Sequence, residues 1–276
     1  MGRILTVIGP HEGVGKTTLA ANLAVRSAQL LHRPAILIDT DLLCRGETGQ
    51  ISGTNSSTSV YQILEQLASK QLTVPMLRGR IPMNRLGIGA LNLAASSREM
   101  EQMSRDQWAF FLQSFAQVYD VIIDMEIAHP LKAASLDQAD GIVWTFVPNP
   151  LSVRATVQQL TSLQNEKLGL HKLTFVLNHP YNAPGLSAEV VADSLARFDK
   201  ELAVVLPYEN DLPRLLNAGK PAISEGSRSD YYAGIGQLLD KLAKFKREGE
   251  GFGIPGGMPG RGPRGSAAGP LGSAVV

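Results

Sequence analysis

The stretch VIGPHEGVGKTTLA, residues 7–20, decides how the rest of the chain is read. An apolar run, RILTVIG over residues 3–9, enters it, and a helix is expected to begin near Gly15. A strand that turns through glycines into a helix start is the setting in which a loop holds phosphate. Gly13 and Gly15 let backbone amides turn inward. Lys16 then reaches the β- and γ-phosphates of a nucleotide, Thr17 offers its hydroxyl to Mg²⁺, and the helix N-terminus adds unpaired amides and a favourable dipole. The general pattern G-x-x-x-x-G-K-[ST] is not met strictly, because its first glycine falls on Pro10. The loop also carries His11 and Glu12, and a carboxylate is unexpected beside an anion.

Outward from this loop, short β-rich runs alternate with helical patterns. Strands are expected at 3–9, 35–39, 86–94, 120–125, 141–147, 172–178 and 202–207. Several are nearly continuous in Val, Ile and Leu, as in strands covered on both faces. Helical spacing joins Met100, Met103, Phe111, Phe115 and Val118, then Val153, Val157, Leu160 and Leu163, then Ile235, Leu238, Leu239, Leu242 and Phe245. Trp108, Phe110 and Phe111 read as core of the first of these. The alternation predicts an α/β fold with a doubly wound, mostly parallel sheet and helices on both faces. Residues 42–59, polar and rich in Gly, Ser and Thr, read as a loop at the carboxyl edge, where ligands bind. Residues 249–276 hold ten Gly and four Pro and read as a disordered tail. The expected division is a folded domain over 1–247 and a tail over 248–276.

The bulk numbers narrow the function. The chain has 276 residues, 44% hydrophobic and 18% charged, with a formal net charge of +1. That balance gives no overall attraction to nucleic acid or to an acidic membrane. Cys44 is the only cysteine, so an intramolecular disulfide or an all-cysteine metal site is excluded. No apolar run approaches the roughly 18–20 residues that span a bilayer. The N-terminus lacks a signal-peptide layout, which points to the cytoplasm. MGRILT fits a myristoylation pattern, but Ile4–Ile8 read as a buried strand that draws Gly2 inward. Asn55-Ser56-Ser57 is a sequon that a cytoplasmic protein would not use. The five histidines show no metal-ligand spacing.

Three carboxylates fall at expected strand tips or just past them. AILIDTD ends one strand with Asp39 and Asp41, and YDVIIDM ends another with Asp124. A carboxylate beside a Lys-Thr loop holds Mg²⁺ through its water shell, and another orients an attacking water.

The phrases GPHEGVGKTTLAANLA, AILIDTDLLCRG, YDVIIDM, LDQADGIVWTFVPNPLSVRAT, VLN and LPYENDLPRLLNAGKP occur in the order seen in ParA/MinD-type ATPases, the deviant Walker A group. The resemblance runs over roughly residues 3–245, and two of the phrases look most like the CpaE/TadZ pilus-assembly branch. It implies a P-loop fold of the SIMIBI type that hydrolyses ATP with Mg²⁺. Gly13, Val14, Gly15, Lys16, Thr17 and Thr18 would bind the phosphates and the ion. Asp39 would sit in the metal's water shell, Asp124 would be the second metal-side carboxylate, and Asp41 would position the hydrolytic water. Asn178 would touch adenine, and the stretch after Pro207 would close over the base. The partners implied are a second copy of the chain in the ATP state and the proteins of a pilus, secretion or localisation system.

In this family the loop usually reads K-G-G-x-G-K-[ST], and its first lysine crosses to the partner's phosphates. Here that position is His11 and the next is Glu12. Histidine is shorter and mostly neutral at pH 7. Nucleotide binding is expected to survive and hydrolysis to be slow. Two other readings stay open: His11 and Glu12 as a solvated loop tip, and the chain as a non-hydrolysing scaffold. Lys241, Lys244, Lys246 and Arg247 on the last helix read as a solvated basic face, with peripheral membrane contact or nonspecific DNA binding, as in partition ATPases, the alternatives.

Overall fold

All seven expected strands form, and in the computed structural model they join in one sheet in the order Ile88–Asn92, Ala35–Asp39, Asp120–Asp124, Ile4–Ile8, Gly141–Phe146, Leu173–Asn178 and Leu202–Leu206. The structure describes residues 1–41, 47–54, 58–93, 97–166, 168–180, 182, 184–220 and 229–243, all within the compact unit Met1–Lys246. In chain order the elements are β1 (Ile4–Ile8), α1 (Lys16–Leu31), β2 (Ala35–Asp39), α2 (Glu47–Ser52), α3 (Val60–Ala68), β3 (Ile88–Asn92), α4 (Ser97–Gln102), α5 (Arg105–Ala116), β4 (Asp120–Asp124), α6 (Lys132–Gln138), β5 (Gly141–Phe146), α7 (Pro150–Asn165), β6 (Leu173–Asn178), α8 (Ala188–Ala196), β7 (Leu202–Leu206), α9 (Leu212–Asn217) and α10 (Asp230–Leu242). Every strand pairing is parallel. Parallel strands need crossovers, and here helices supply them.

The period-2 alternation of each strand divides the core in two. Ile4 and Ile8, Ile36 and Ile38, Val121 and Ile123, and Trp144 and Phe146 face one layer with residues of α3, α5, α6, α7 and α8. Leu5, Val7, Leu37, Ile122 and Val143 face the other, against α1 and α10. The second layer is lined by small residues of α1, namely Ala20, Ala21, Ala24 and Ala28, which bring that helix close to the sheet. Each fully buried Leu, Ile or Val on these faces contributes about 1.5–3 kcal/mol. The two buried indoles are satisfied: Trp108 Nε1 donates to Ser135 Oγ at 2.8 Å, and Trp144 Nε1 to Thr156 Oγ1 at 3.2 Å. Trp108 and Phe111 are core as expected, while Phe110 is exposed.

Three local expectations are corrected. The helix joining Met100 to Val118 is two helices, α4 and α5, and Val118 lies beyond the second. The break falls at Ser104, whose hydroxyl accepts the Gln107 amide while the Gln107 side chain accepts the Ser104 amide. This reciprocal cap starts a new helix where apolar spacing alone shows continuity. Within 42–59, read as loop, residues 47–52 form α2. Among the described residues the last helix ends at Leu242. Cys44, the sequon, Lys244, Lys246, Arg247 and the 249–276 tail lie outside the described residues. No described helix is long and apolar enough to cross a membrane.

His129, in the turn between β4 and α6, is 3% exposed. Its Nδ1 accepts the Leu131 amide at 3.0 Å, so the ring proton sits on Nε2, which is buried without a partner. Burial lowers its pKa from 6.5 to about 4. Its folded pKa is depressed, so the stability it contributes is whole above pH 6.5 and is lost as pH falls towards 4. Urea unfolding of the wild type should therefore lose about 3 kcal/mol over that window relative to His129→Asn, which keeps the acceptor and does not titrate. Parallel pH profiles of the two proteins would contradict this.

Candidate functional site

Parallel strands bring their carboxyl ends to one edge, and β1 stands inside the sheet between β4 and β5. The turn that follows β1 is shaped by two left-handed glycines, Gly13 at φ 77° and Gly15 at φ 88°. A side chain on Gly15 would also strike the Asn178 amide. Val14 between them is fully buried. Its carbonyl accepts Asn178 Nδ2 at 3.0 Å and Thr145 Oγ1 at 3.5 Å, which turns the peptide inward. α1 then starts at Lys16 with no side-chain cap and no acidic residue in its first turn. Its leading amides are left to an external acceptor, and a helix N-terminus in that state suits an anion. Lys16 Nζ arches back over the turn to the His11 carbonyl at 3.1 Å.

The His11 ring does not extend outward. Its Nδ1–H donates to the Glu12 carbonyl at 2.7 Å, while Glu12 itself is exposed.

Facing the turn are two acidic strand tips. Asp39 and Asp124 are register partners on β2 and β4. The Asp39 carboxylate accepts the Asp41 amide at 2.9 Å, the Thr48 amide at 3.2 Å and the Thr48 hydroxyl at 3.3 Å. Burial nevertheless raises its pKa, against the pull of those hydrogen bonds. Asp124 is pushed up to about 7, chiefly by burial and further by the charge of Asp39, while the Thr17 hydroxyl bond and Lys16 act the other way. One Asp124 oxygen, Oδ1, is buried with no partner.

An orphaned carboxylate oxygen beside a threonine hydroxyl and a second carboxylate fits a hard, oxygen-seeking cation. Among the described residues no three His, Cys, Asp or Glu side chains converge. Two acidic side chains and a hydroxyl would therefore leave most of the ion's shell to water or phosphate, as Mg²⁺ prefers.

The structure thus gathers Lys16, Thr17, Asp39 and Asp124 around one turn. Asp41 follows two residues after Asp39, half-buried. Thr18 lies in the first turn of α1, where its carbonyl accepts Asn22 Nδ2 at 2.8 Å. Asn178 ends β6 under the turn, its amide engaged with Val14. Pro207 lies past β7, beyond a link from the His179 amide to the Leu206 carbonyl at 2.9 Å. Two residues escaped the sequence reading. Thr48, fully buried on α2, clamps Asp39, and the only trace of it was a threonine in a segment read as loop. The Thr40 hydroxyl donates to the Asp124 carbonyl at 2.7 Å and accepts the Glu126 amide at 3.4 Å, so it joins the turns after β2 and β4.

Comparison with known proteins places this geometry. The family model for the CobQ/CobB/MinD/ParA nucleotide binding domain matches residues 5–222. A MinD-type septum site-determining protein of Guillardia theta is 30% identical over 124 residues, which are 45% of this chain and 44% of that protein. The aligned stretch spans less than half of that relative's length. The ParA family ATPase of Chlorobium tepidum TLS superposes with a TM-score of 0.74 at 16% identity, over 88% of this chain and 98% of its own. The septum site-determining protein MinD of Pyrococcus horikoshii OT3, solved with Mg-ADP, gives 0.69 at 20% identity over the same shares. The MinC:MinD cell division complex of Aquifex aeolicus gives 0.68 at 19%, over 90% of this chain and 99% of the matched chain. At such identities the likeness is one of fold.

The raised pKa of Asp124 has a sign in metal-free protein. The stability it contributes is whole below pH 3.8 and is lost as pH rises through about 7. Asp124→Asn removes that loss. Without added metal, the variant should be more stable than the wild type at pH 8, by on the order of 4 kcal/mol, and the gap should close towards pH 4. Thermal unfolding across that range measures it, and a wild type more stable at pH 8 would overturn it.

Proposed function

The chain belongs to the CobQ/CobB/MinD/ParA nucleotide-binding family, and on that premise we propose that it is an ATPase of the ParA/MinD type that binds ATP·Mg²⁺ at the Gly13–Thr18 turn. The observation that carries the reading is the uncapped start of α1 beside Lys16, Thr17 and the orphaned oxygen of Asp124. In it, the amides of Gly13–Thr18 take the β-phosphate oxygens and Lys16 bridges β and γ. Thr17, Asp39 and Asp124 would hold the ion, and Mg²⁺ would offset the charge that develops on the phosphates. Asp41 orients the attacking water. Asn178 and the segment from Pro207 line the adenine side, Asn178 while still bracing Val14.

His11 sets the rate. Folded against the Glu12 carbonyl, its short ring does not reach across an ATP-bound dimer as a lysine would, so hydrolysis is slow. The same geometry favours a second reading, a non-hydrolysing scaffold that keeps nucleotide as part of its structure. In either case the loaded protein pairs with a second copy in the cytoplasm and positions other machinery. The MinC:MinD complex is a relative's example of partner binding. The CpaE/TadZ resemblance points to a pilus or secretion apparatus as the cargo, and partition-type DNA binding is the alternative.

Phosphate release, read beside binding of a fluorescent ATP analogue, tests this. Lys16→Ala should cut turnover about a hundredfold or more. Asp41→Ala should do the same while nucleotide stays bound. Bound nucleotide with no turnover above these variants selects the scaffold, and no bound nucleotide ends both readings. Thr48→Val removes one buried hydrogen bond from Asp39 while preserving shape. It should weaken Mg²⁺-dependent analogue binding about tenfold, with Thr48→Ser restoring it. Unchanged binding in Thr48→Val would show that the clamp is idle.

A further inference from the structure

We propose that the amino edge of the sheet carries a docking groove for an acidic, apolar-bearing segment of a partner protein. Between Glu65 and Glu99 the chain has no carboxylate, yet it has Lys70, Arg78, Arg80, Arg85 and Arg98, against a net charge of +1 for the whole. The fold puts most of this segment in one place. The Tyr61 amide near the start of α3 donates to the Leu93 carbonyl, past the carboxyl end of β3. The helix therefore runs back to the opposite edge, where residues 69–87 turn before entering β3. There the Gly87 carbonyl accepts the Ala35 amide at the start of β2. The Tyr119 hydroxyl, just before β4, donates to the Leu77 carbonyl at 2.7 Å.

Between the end of α3 and this turn lies an open groove of about 500 Å³, walled by Gln66, Gln71, Met76, Arg78 and Arg80. Leu72, also in its wall, is buried, and Leu77 and Ile81 of the same segment are buried in the core, which anchors the turn. Arg78, Arg80 and Arg85 are exposed, and among the described residues none of the three forms an ion pair. Met76 and Met83 are 55% and 36% exposed on the same segment.

Guanidinium groups without a carboxylate partner, Arg80 donating instead to Gln66 Oε1 at 3.3 Å, next to exposed thioethers form the composition of a protein-binding surface, in which Arg and Met are enriched. Residues 69–87 contain no aromatic side chain. They therefore lack the stacking rings of a single-strand nucleic-acid surface and the interfacial anchors of a membrane surface. Carboxylates pair with arginine forks, and an aliphatic side chain between them rests on Met76. A turn already held in place spares the ordering cost of binding. The groove lies at the opposite edge from Lys16 and Asp124, so a docked segment leaves the nucleotide turn unobstructed.

The test uses the full chain and a short fluorescein-labelled peptide alternating Glu and Leu, followed by anisotropy. Arg78→Glu with Arg80→Glu should weaken binding about tenfold or more, the cost of losing two charge-assisted contacts. The same charge change at Arg105 and Arg197, both exposed elsewhere, should leave it unchanged. Met76→Ser should weaken the Glu-Leu peptide but not a peptide of Glu alone. The proposal is overturned if the Arg105/Arg197 variant loses as much, if the Glu-Leu peptide does not bind, or if Met76→Ser affects neither peptide. It is also overturned if duplex DNA or phosphatidylserine vesicles bind through Arg78 and Arg80 more tightly than the peptide does.

Discussion

The Val14 carbonyl is the hinge of the site's geometry. Held inward by Asn178 and Thr145, it fixes one peptide of a turn whose neighbours are left-handed glycines. Three strands meet in that contact: β1 leads into the turn, β5 supplies Thr145 and β6 supplies Asn178. The helix start, Lys16 and Thr17 take their places from it. A lone glycine-rich turn has many shapes of similar energy. Here buried hydrogen bonds to rigid strands select one, and leaving such groups unpaired would cost about 1–3 kcal/mol each. The turn is thus prepared before any ligand arrives.

The acidic side of the site works against stability. Asp39 is held by three hydrogen bonds and Asp124 by fewer, with one oxygen left in a dry place. A carboxylate in that state is destabilised relative to water, and proteins keep such groups where a counter-charge is meant to come. Lys16 offsets part of the cost. The remainder is a standing affinity for positive charge at the tip of β4.

Much of the fold was legible because its strands are covered on both faces. Runs such as VIID and FVLN leave little choice of structure, and all seven strands appear within two residues of their expected ends. The pairing of Asp39 with Asp124 needed the order of the strands, β2 beside β4, which no strand's own residues state. What stayed hidden were features set by single hydrogen bonds. The Ser104 cap divides a helix that apolar spacing shows as continuous. Thr48 joins the site only because α2 forms in a Gly- and Ser-rich segment that has no strong periodicity. Asn178 was singled out for the base, and its bond to Val14 depends on a distance across β6 and β1 that no local pattern encodes.

Thr40 has a consequence for how the site moves. Its hydroxyl faces both the Asp124 carbonyl and the Glu126 amide, and its own amide donates to the same carbonyl at 3.3 Å, so the backbone behind Asp41 and the backbone behind Asp124 are fastened together. Neither turn shifts far without releasing the other. A displacement at the tip of β2 is therefore passed on to the tip of β4.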